Sequence, residues 1–559
     1  MDTKNIIAAI SLSAAVIILY SLFFAPTPQE RKQIQSEKNI TNESTDAPSL
    51  EQNEQVSKIS RTEAVNEENR ILFENDNIKG SISLTGSKID DLEFKKFKKT
   101  LDGDDNVTLL NPSKVKNGYY VETGWATTNK NIDIPNSKSV WKIKGNQKLT
   151  PNSPIKLTWL NDQNIKFEKK ISIDNQYLFS VEQTIINNSE KSYNFYPYGQ
   201  IIRNEIPEIT NFFILHEGPI CIINSELVEK DYDDIQEEGY SENADKGFCG
   251  VTDKFWITSL IPQENRKFRA DIDYKNNKFR TNFIETSPTE IGANETKSNK
   301  IKILLAAKEV RVIDEYAKKL NIEKLDLVID WGYLYMLTRP MWFALDYFYK
   351  LLGNYGLAII AVTLSIRIVL FPMAQMSFRS MSRMKLLQPE MARIKEVNKG
   401  DKTKIQQEMM ALYKKEKVNP LSGCLPMIPM IFIFFALYKV LFVTLDGRHK
   451  PFYGYLVDLS SRDPTSIFNL FGLINWAPPE FLLVGALPLF FGLTMWLQQK
   501  LNPAPPDPVQ AKIFMFFPIF LTVILAPFPS GLLLYWVTNN ILQMIQQYIV
   551  MRKTKVKTA

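Results

Sequence analysis

The hardest residue to place in this chain is an arginine inside an apolar run. Gly356 to Phe378 reads GLAIIAVTLSIRIVLFPMAQMSF, long enough to cross a bilayer, with Arg367 near its middle. A guanidinium keeps its proton in a protein, and holding one at mid-bilayer costs roughly 2.5–3.5 kcal/mol on insertion scales. Either an acidic partner or a water-filled cavity must compensate. Asp346, Asp446 and Glu480 sit at or beyond the ends of apolar segments, which favours the cavity; an arginine snorkelling to an interface is the plainer alternative. Thr363, four residues earlier, shares the face of Arg367. In the last apolar segment Tyr535, Asn539, Gln543 and Gln546 step by four, four and three, with Trp536 beside them and Asn540 and Gln547 widening the stripe. Amides without partners are costly in lipid, so the stripe either bonds neighbouring helices or lines one wet groove with Arg367. Such a set does electrostatic work: it receives and shields polar or anionic groups.

Signs of covalent chemistry are missing from the sequence. His216 and His449 are far apart with no ligand pattern around them, which makes a metal site improbable. Cys221, Cys249 and Cys424 show no CxxC spacing; the first two either pair in an exported domain or remain buried thiols. No GxxxxGK[ST] motif is present, and no cofactor is expected.

Residues 377–419 form a third feature. Met381, Met384, Leu387, Met391, Ile394 and Val397 recur at helical spacing, Asn398-Lys399-Gly400-Asp401 makes a turn, and Ile405, Met409, Leu412 and Tyr413 continue as a second amphipathic arm. Seven of the 16 methionines lie between Met373 and Met410. Methionine suits a surface that accepts many apolar sequences, so Met381, Met384, Leu387, Met391, Met409 and Met410 are expected to contact apolar segments of a partner. The plainer reading has these side chains pack the hairpin seam. The flanking basic residues suit anionic lipid or RNA.

These side chains need elements to hold them. The 559 residues carry 23% charged side chains and a net charge of +6, and the mean hydropathy is −0.17. That average hides a polar half over 26–330 and an apolar half over 331–551. Ile6–Ala25 is an apolar stretch after Lys4, read as an uncleaved anchor in preference to a signal peptide because Pro26 makes a poor cleavage context. Alternating runs predict strands at Ser81–Leu84, Trp141–Lys144, Lys156–Leu160, Lys166–Ile173, Leu178–Ile186, Trp256–Ile261 and Lys300–Leu305. Without helical patterns between them they imply an antiparallel sandwich. The aromatic cluster Tyr193–Tyr198 is expected at a packed sheet edge, a sugar platform being the alternative, and 309–320 reads as a short closing helix.

The membrane half is expected to be an interfacial amphipathic helix bent at Pro340, the Arg367 helix and four further short crossings near Leu425–Val443, Phe481–Leu497, Ile513–Phe528 and Leu532–Val550, the first three of them entered by proline. The domains read as an anchor over 1–25, a flexible linker over 26–69, a β domain over 70–325, the interfacial helix over 331–352, a transmembrane helix over 353–376, a hairpin over 377–419, transmembrane helices over 420–550 and a basic tail over 551–559. Eleven basic residues between 377 and 419, against three between 444 and 480, place the hairpin and both termini in the cytoplasm and the β domain across the membrane.

TLSIRIVLFPM, then QQEMMALYKKEKVNPLSGCLPM, then FPSGLLLYWVTNN resemble the YidC-type membrane protein insertases in their Gram-negative form, over essentially the whole chain. The resemblance implies a periplasmic β-supersandwich similar to sugar-mutarotase domains, with no established catalytic role. It also implies an α-helical membrane core of five helices beside the N-terminal anchor, with a hydrophilic groove open to cytoplasm and lipid whose arginine is Arg367. One departure is visible: the family commonly has Gln and Pro soon after its Cys-Xaa-Pro, whereas this chain has Cys424-Leu425-Pro426-Met427-Ile428-Pro429-Met430. The function implied is insertion and folding of nascent membrane proteins at a bacterial inner membrane, alone or with the Sec translocon. The partners expected are nascent chains, the ribosome, Sec components and the bilayer, with no direct nucleic-acid specificity. A secondary transporter using Arg367 as counter-ion for an anionic solute is the alternative; a tethered carbohydrate enzyme is a third reading, without an acid/base pair to support it.

Overall fold

The computed structural model describes residues 59–208, 215–416, 418, 427–474, 476, 478–479, 483–502 and 508–558. The expected anchor, the linker as far as residue 58 and Cys424-Leu425-Pro426 lie outside the described residues. The end of the linker span is a short helix, α1 (Arg61–Asn66), started by a capping box between Ser60 and Glu63.

Two packed sheets follow, of eleven and nine strands among the described residues. All seven runs with alternating hydrophobicity fall wholly or largely in strands. In Leu178–Asn187 buried and half-buried residues alternate, and it pairs antiparallel with Ile165–Ile173 on one side and Thr296–Ala307 on the other. Rings from the two sheets meet between them: Phe73 lies edge-on to Phe179 at 5.2 Å and Phe94 stacks on Trp256 at 4.7 Å. The aromatic cluster differs from expectation. Its strand, Tyr193–Arg203, pairs with Tyr119–Ala126 on one side and Lys278–Glu285 on the other, so it is interior to the sheet. Cys221 and Cys249 stand opposite each other on paired strands and form a disulfide. A six-residue helix, α2 (Tyr232–Glu237), interrupts the strands, and α3 (Val310–Lys319) closes the domain. The Tyr316 hydroxyl of α3 accepts from Tyr177 N at 2.9 Å and donates to Asp174 at 2.9 Å.

The apolar half begins with α4 (Tyr335–Leu352), which contains Pro340 and starts four residues after the expected Trp331. It buries Thr338, Trp342 and Leu345 and exposes Met336, Phe343, Tyr347 and Leu351. Ion pairs fasten it to α3: Arg339 to Asp314 at 2.9 Å, and Arg311 to Asp346, which Lys350 also reaches at 3.2 Å.

The run read as one crossing helix is two: α5 (Tyr355–Val369) and α6 (Phe371–Leu386), meeting at 68°. Pro372 in the first turn of α6 has no N–H to continue the α5 ladder, and its ring crowds the preceding turn. A second proline, Pro389, divides the first hairpin arm, so α7 (Gln388–Val397) is separate from α6. Gly400, at φ +100°, makes the turn to α8 (Lys402–Lys415), whose first turn is capped by Asp401. Among the described residues four more α-helices follow: α9 (Met427–Val443), α10 (Ala486–Leu501), α11 (Pro508–Leu525) and α12 (Ser530–Thr558).

Among the described residues no single helix is long and apolar enough to cross a membrane alone, while the bent pair α5–α6 qualifies by length and composition. The outer faces of α9, α10 and α11 expose Ile431, Phe432, Phe435, Phe490, Leu493, Ile513, Ile519 and Val523. Exposed apolar side chains in that number fit lipid.

The first turn of α10 is capped from a distance. Asp463 Oδ2 accepts from Leu487 N at 2.7 Å, and Thr465 Oγ1 from Ala486 N at 2.9 Å. The same loop supports α12, since Ser461 O accepts from Ser530 N at 2.7 Å and Leu459 O from Gly531 N at 2.9 Å.

Candidate functional site: a polar seam between helices

Asn354 starts α5 by accepting from Leu357 N at 3.0 Å. Arg367 lies twelve residues past Tyr355, about 18 Å along the axis at 1.5 Å per residue. Its side chain is buried, at 8% exposure, where α5 faces α12. The guanidinium donates from Nε to Asn539 Oδ1 at 2.9 Å and from Nη2 to Gln543 Oε1 at 2.8 Å and Asn539 O at 3.2 Å. No carboxylate among the described residues pairs with it. Among the described residues the charge is met by dipoles alone.

The two rows of amides on α12 part company. Asn539 and Gln543 turn to Arg367. Asn540 and Gln547, one step round the helix, bond α10 and the residue that follows it: Asn540 Nδ2 donates to Thr494 Oγ1 at 3.2 Å, and Gln547 Nε2 to Leu501 O at 3.3 Å and Asn502 Oδ1 at 3.2 Å. Helix–helix bonding therefore accounts for the second row. Gln546 stays with the first row but one turn on. It is 7% exposed, and its Nε2 has no acceptor among the described residues.

The other expected groove residues occupy different positions. Tyr535 is buried near the guanidinium. The Thr363 hydroxyl donates to Ile359 O of its own helix at 2.7 Å. Trp536 lies between Phe434 of α9, at 4.4 Å, and Phe491 of α10, at 5.1 Å, which makes it a packing residue between helices in this structure. Met430 is half-buried on α9.

The hairpin side chains divide likewise. Met381 packs against Ala374, Phe378 and Val550. The Sδ of Met391 accepts from the Tyr413 hydroxyl at 3.9 Å across the α7–α8 seam, and Met409 is buried. Asn398 also joins the arms, donating to Glu408 at 2.7 Å. Met410 and Val397 are exposed, with Met384 and Leu387 half-buried.

Sequence reasoning missed the contacts that tie the helical core together and to the β domain. Trp342 Nε1 of α4 donates to Asp446 after α9 at 2.7 Å, Lys439 of α9 pairs with Asp330 just past the β domain at 2.7 Å, and Arg448 donates to Lys98 O of the β domain at 2.6 Å. The signal available was only the isolated charge of Lys439 near the end of an apolar run.

Comparison with known proteins follows the same division of the chain. The family described as 60Kd inner membrane protein matches residues 347–558, and the YidC periplasmic domain matches 70–344. The chain is 61% identical to the membrane protein insertase YidC of Pelagibacter ubique (strain HTCC1062), covering 100% of both chains. It is 38% identical to that of Brucella suis biovar 1 (strain 1330), covering 100% of this chain and 96% of the relative. Among solved structures, a crystal structure of active YidC insertase with its first transmembrane domain resolved aligns over 86% of this chain and 92% of that one, at 15% identity and a TM-score of 0.36.

Proposed function

The chain belongs to the YidC family of membrane protein insertases, and we propose that the Arg367 seam receives the polar flank of each client. Its relatives are named for insertion, which is not an enzymatic activity and leaves the transporter reading without support. The protein is a membrane protein and acts on nascent membrane proteins.

The observation that carries the reading is a permanent cation buried between α5 and α12 with neutral oxygens as its only partners among the described residues. The acidic or polar flank of a client loses hydration on entering the membrane, and Arg367 offsets part of that cost. The apolar part of the client then moves into lipid, driven by burial at about 25 cal/mol per Å². The membrane potential adds about 2.3 kcal/mol per charge per 100 mV for acidic residues moving outward. Thr363, Tyr535, Trp536 and Gln546 form the surroundings through which the flank passes. Met410 and the half-buried Met384 and Leu387 meet the client first, with Met381, Met391 and Met409 exposed as the hairpin opens.

The orientation is inner membrane, with the hairpin and both termini cytoplasmic and the β domain periplasmic. The disulfide supports an oxidising space around the β domain. Arg448 bonds the β domain, which favours one side for the 444–474 loop and that domain. The basic hairpin suits the ribosome or anionic lipid, and the exposed apolar faces suit Sec components.

Arg367→Ala tests the reading in vesicles reconstituted with the full chain. Insertion of clients with charged translocated tails should slow several-fold. Unchanged insertion of every such client would remove the arginine from the mechanism.

A further inference from the structure

The oxygens that orient Arg367 carry no net charge. Asn539 supplies both its side-chain and its main-chain oxygen, and Gln543 supplies a third. A planar guanidinium held through Nε and Nη2 has its remaining nitrogen aimed in a fixed direction. Nη1 makes no hydrogen bond to any described residue. One turn along α12 the Nε2 of Gln546 is buried without an acceptor among the described residues, a costly arrangement when nothing fills it. Two donors, on Arg367 and on the residue one turn beyond its α12 partners, thus lack acceptors among the described residues, and a carboxylate brings two oxygens.

We infer that Asn539 and Gln543 are positioning residues that set the preference of the insertase for acidic client side chains. Holding Arg367 through neutral amides fixes its direction while leaving its whole charge to be felt by a client. A carboxylate at either position would hold the guanidinium as well and cancel its charge inside the protein. The inference rests on the reading of Arg367 given above.

Asparagine and aspartate are nearly the same shape, so Asn539→Asp and Gln543→Glu separate charge from packing. The full chain is reconstituted in vesicles with two clients that differ only in having aspartates or asparagines in the translocated tail. The ratio of the two insertion rates is the readout, because a general loss of folded protein cancels in it. Asn539→Asp and Gln543→Glu should each lower the acidic-to-neutral ratio by about the factor that Arg367→Ala does. Asn539→Ala, which removes the Nε partner but keeps the charge and the other two oxygens, should lower it less. If Arg367→Ala lowers the ratio while both carboxylate variants keep the wild-type value, the positioning role is overturned and the reading of Arg367 stands. Equal slowing of both clients by the carboxylate variants also overturns it, since that marks the amides as structural. An unchanged ratio in Arg367→Ala overturns both.

Discussion

At the scale of single residues, a buried cationic side chain hydrogen-bonded to neutral oxygens recurs in both halves of the molecule. Lys169 is fully buried between the sheets, donating to Thr123 O at 2.5 Å with its amine 4.9 Å from the Trp141 ring. Burial lowers its pKa from 10.5 to about 7. Between those two values the unfolded chain binds a proton that the folded chain does not, so this group makes stability rise with pH over that window, with a slope approaching about 1.4 kcal/mol per pH unit. Thermal unfolding of the full chain from pH 7 to 9 should show the rise, and Lys169→Met should flatten it; equal slopes for both would assign the effect elsewhere. In the seam, the types and spacing on α12 were legible because a row stepping by four, four and three has one face. The choice between partners was not legible. Asn539 and Asn540 are neighbours in sequence, and only the packed helices decide which turns to Arg367 and which to Thr494.

Among the elements, two of the strands absent from the sequence expectation are covered on both faces. Tyr119–Ala126 and Lys278–Glu285 are buried at every residue. The second of these spells KFRTNFIE, with Lys278, Arg280, Asn282 and Glu285 all buried. Such a segment has no alternation to detect. The helix breaks at Leu370 and Leu387 were marked by Pro372 and Pro389, yet the length of the apolar run outweighed the first. Nothing in the sequence near Ala486 announced the cap on α10, because Asp463 is more than twenty residues away. Asp463→Ala should destabilise the protein by about 1 kcal/mol, the usual worth of a helix cap, with Asp463→Asn retaining most of the stability. Calorimetry of the detergent-solubilised protein distinguishes the two; no loss in the alanine variant would mean that solvent satisfies the exposed N–H groups equally well.

For the whole molecule, the β domain and the helical core are joined by paired charges and apolar contacts at α3, α4 and the 444–474 loop. Arg339–Asp314, Arg311–Asp346 and Lys439–Asp330 flank the buried Trp331 and Trp342. The double variant Asp314→Asn, Asp346→Asn should raise hydrogen exchange along α3 and α4 more than along α10. Unchanged exchange would show that the tryptophans hold the joint without the charges. The two-part organisation was legible from composition, since the polar and apolar halves differ so sharply. How they lock was not, because each ion pair joins positions that sequence separates.

The 29 residues of α12 run as one uninterrupted helix with a polar row toward α5 and another toward α10. Both rows sit on one helix, so any displacement of α12 from Arg367 also strains the bonds of Asn540 and Gln547 toward α10.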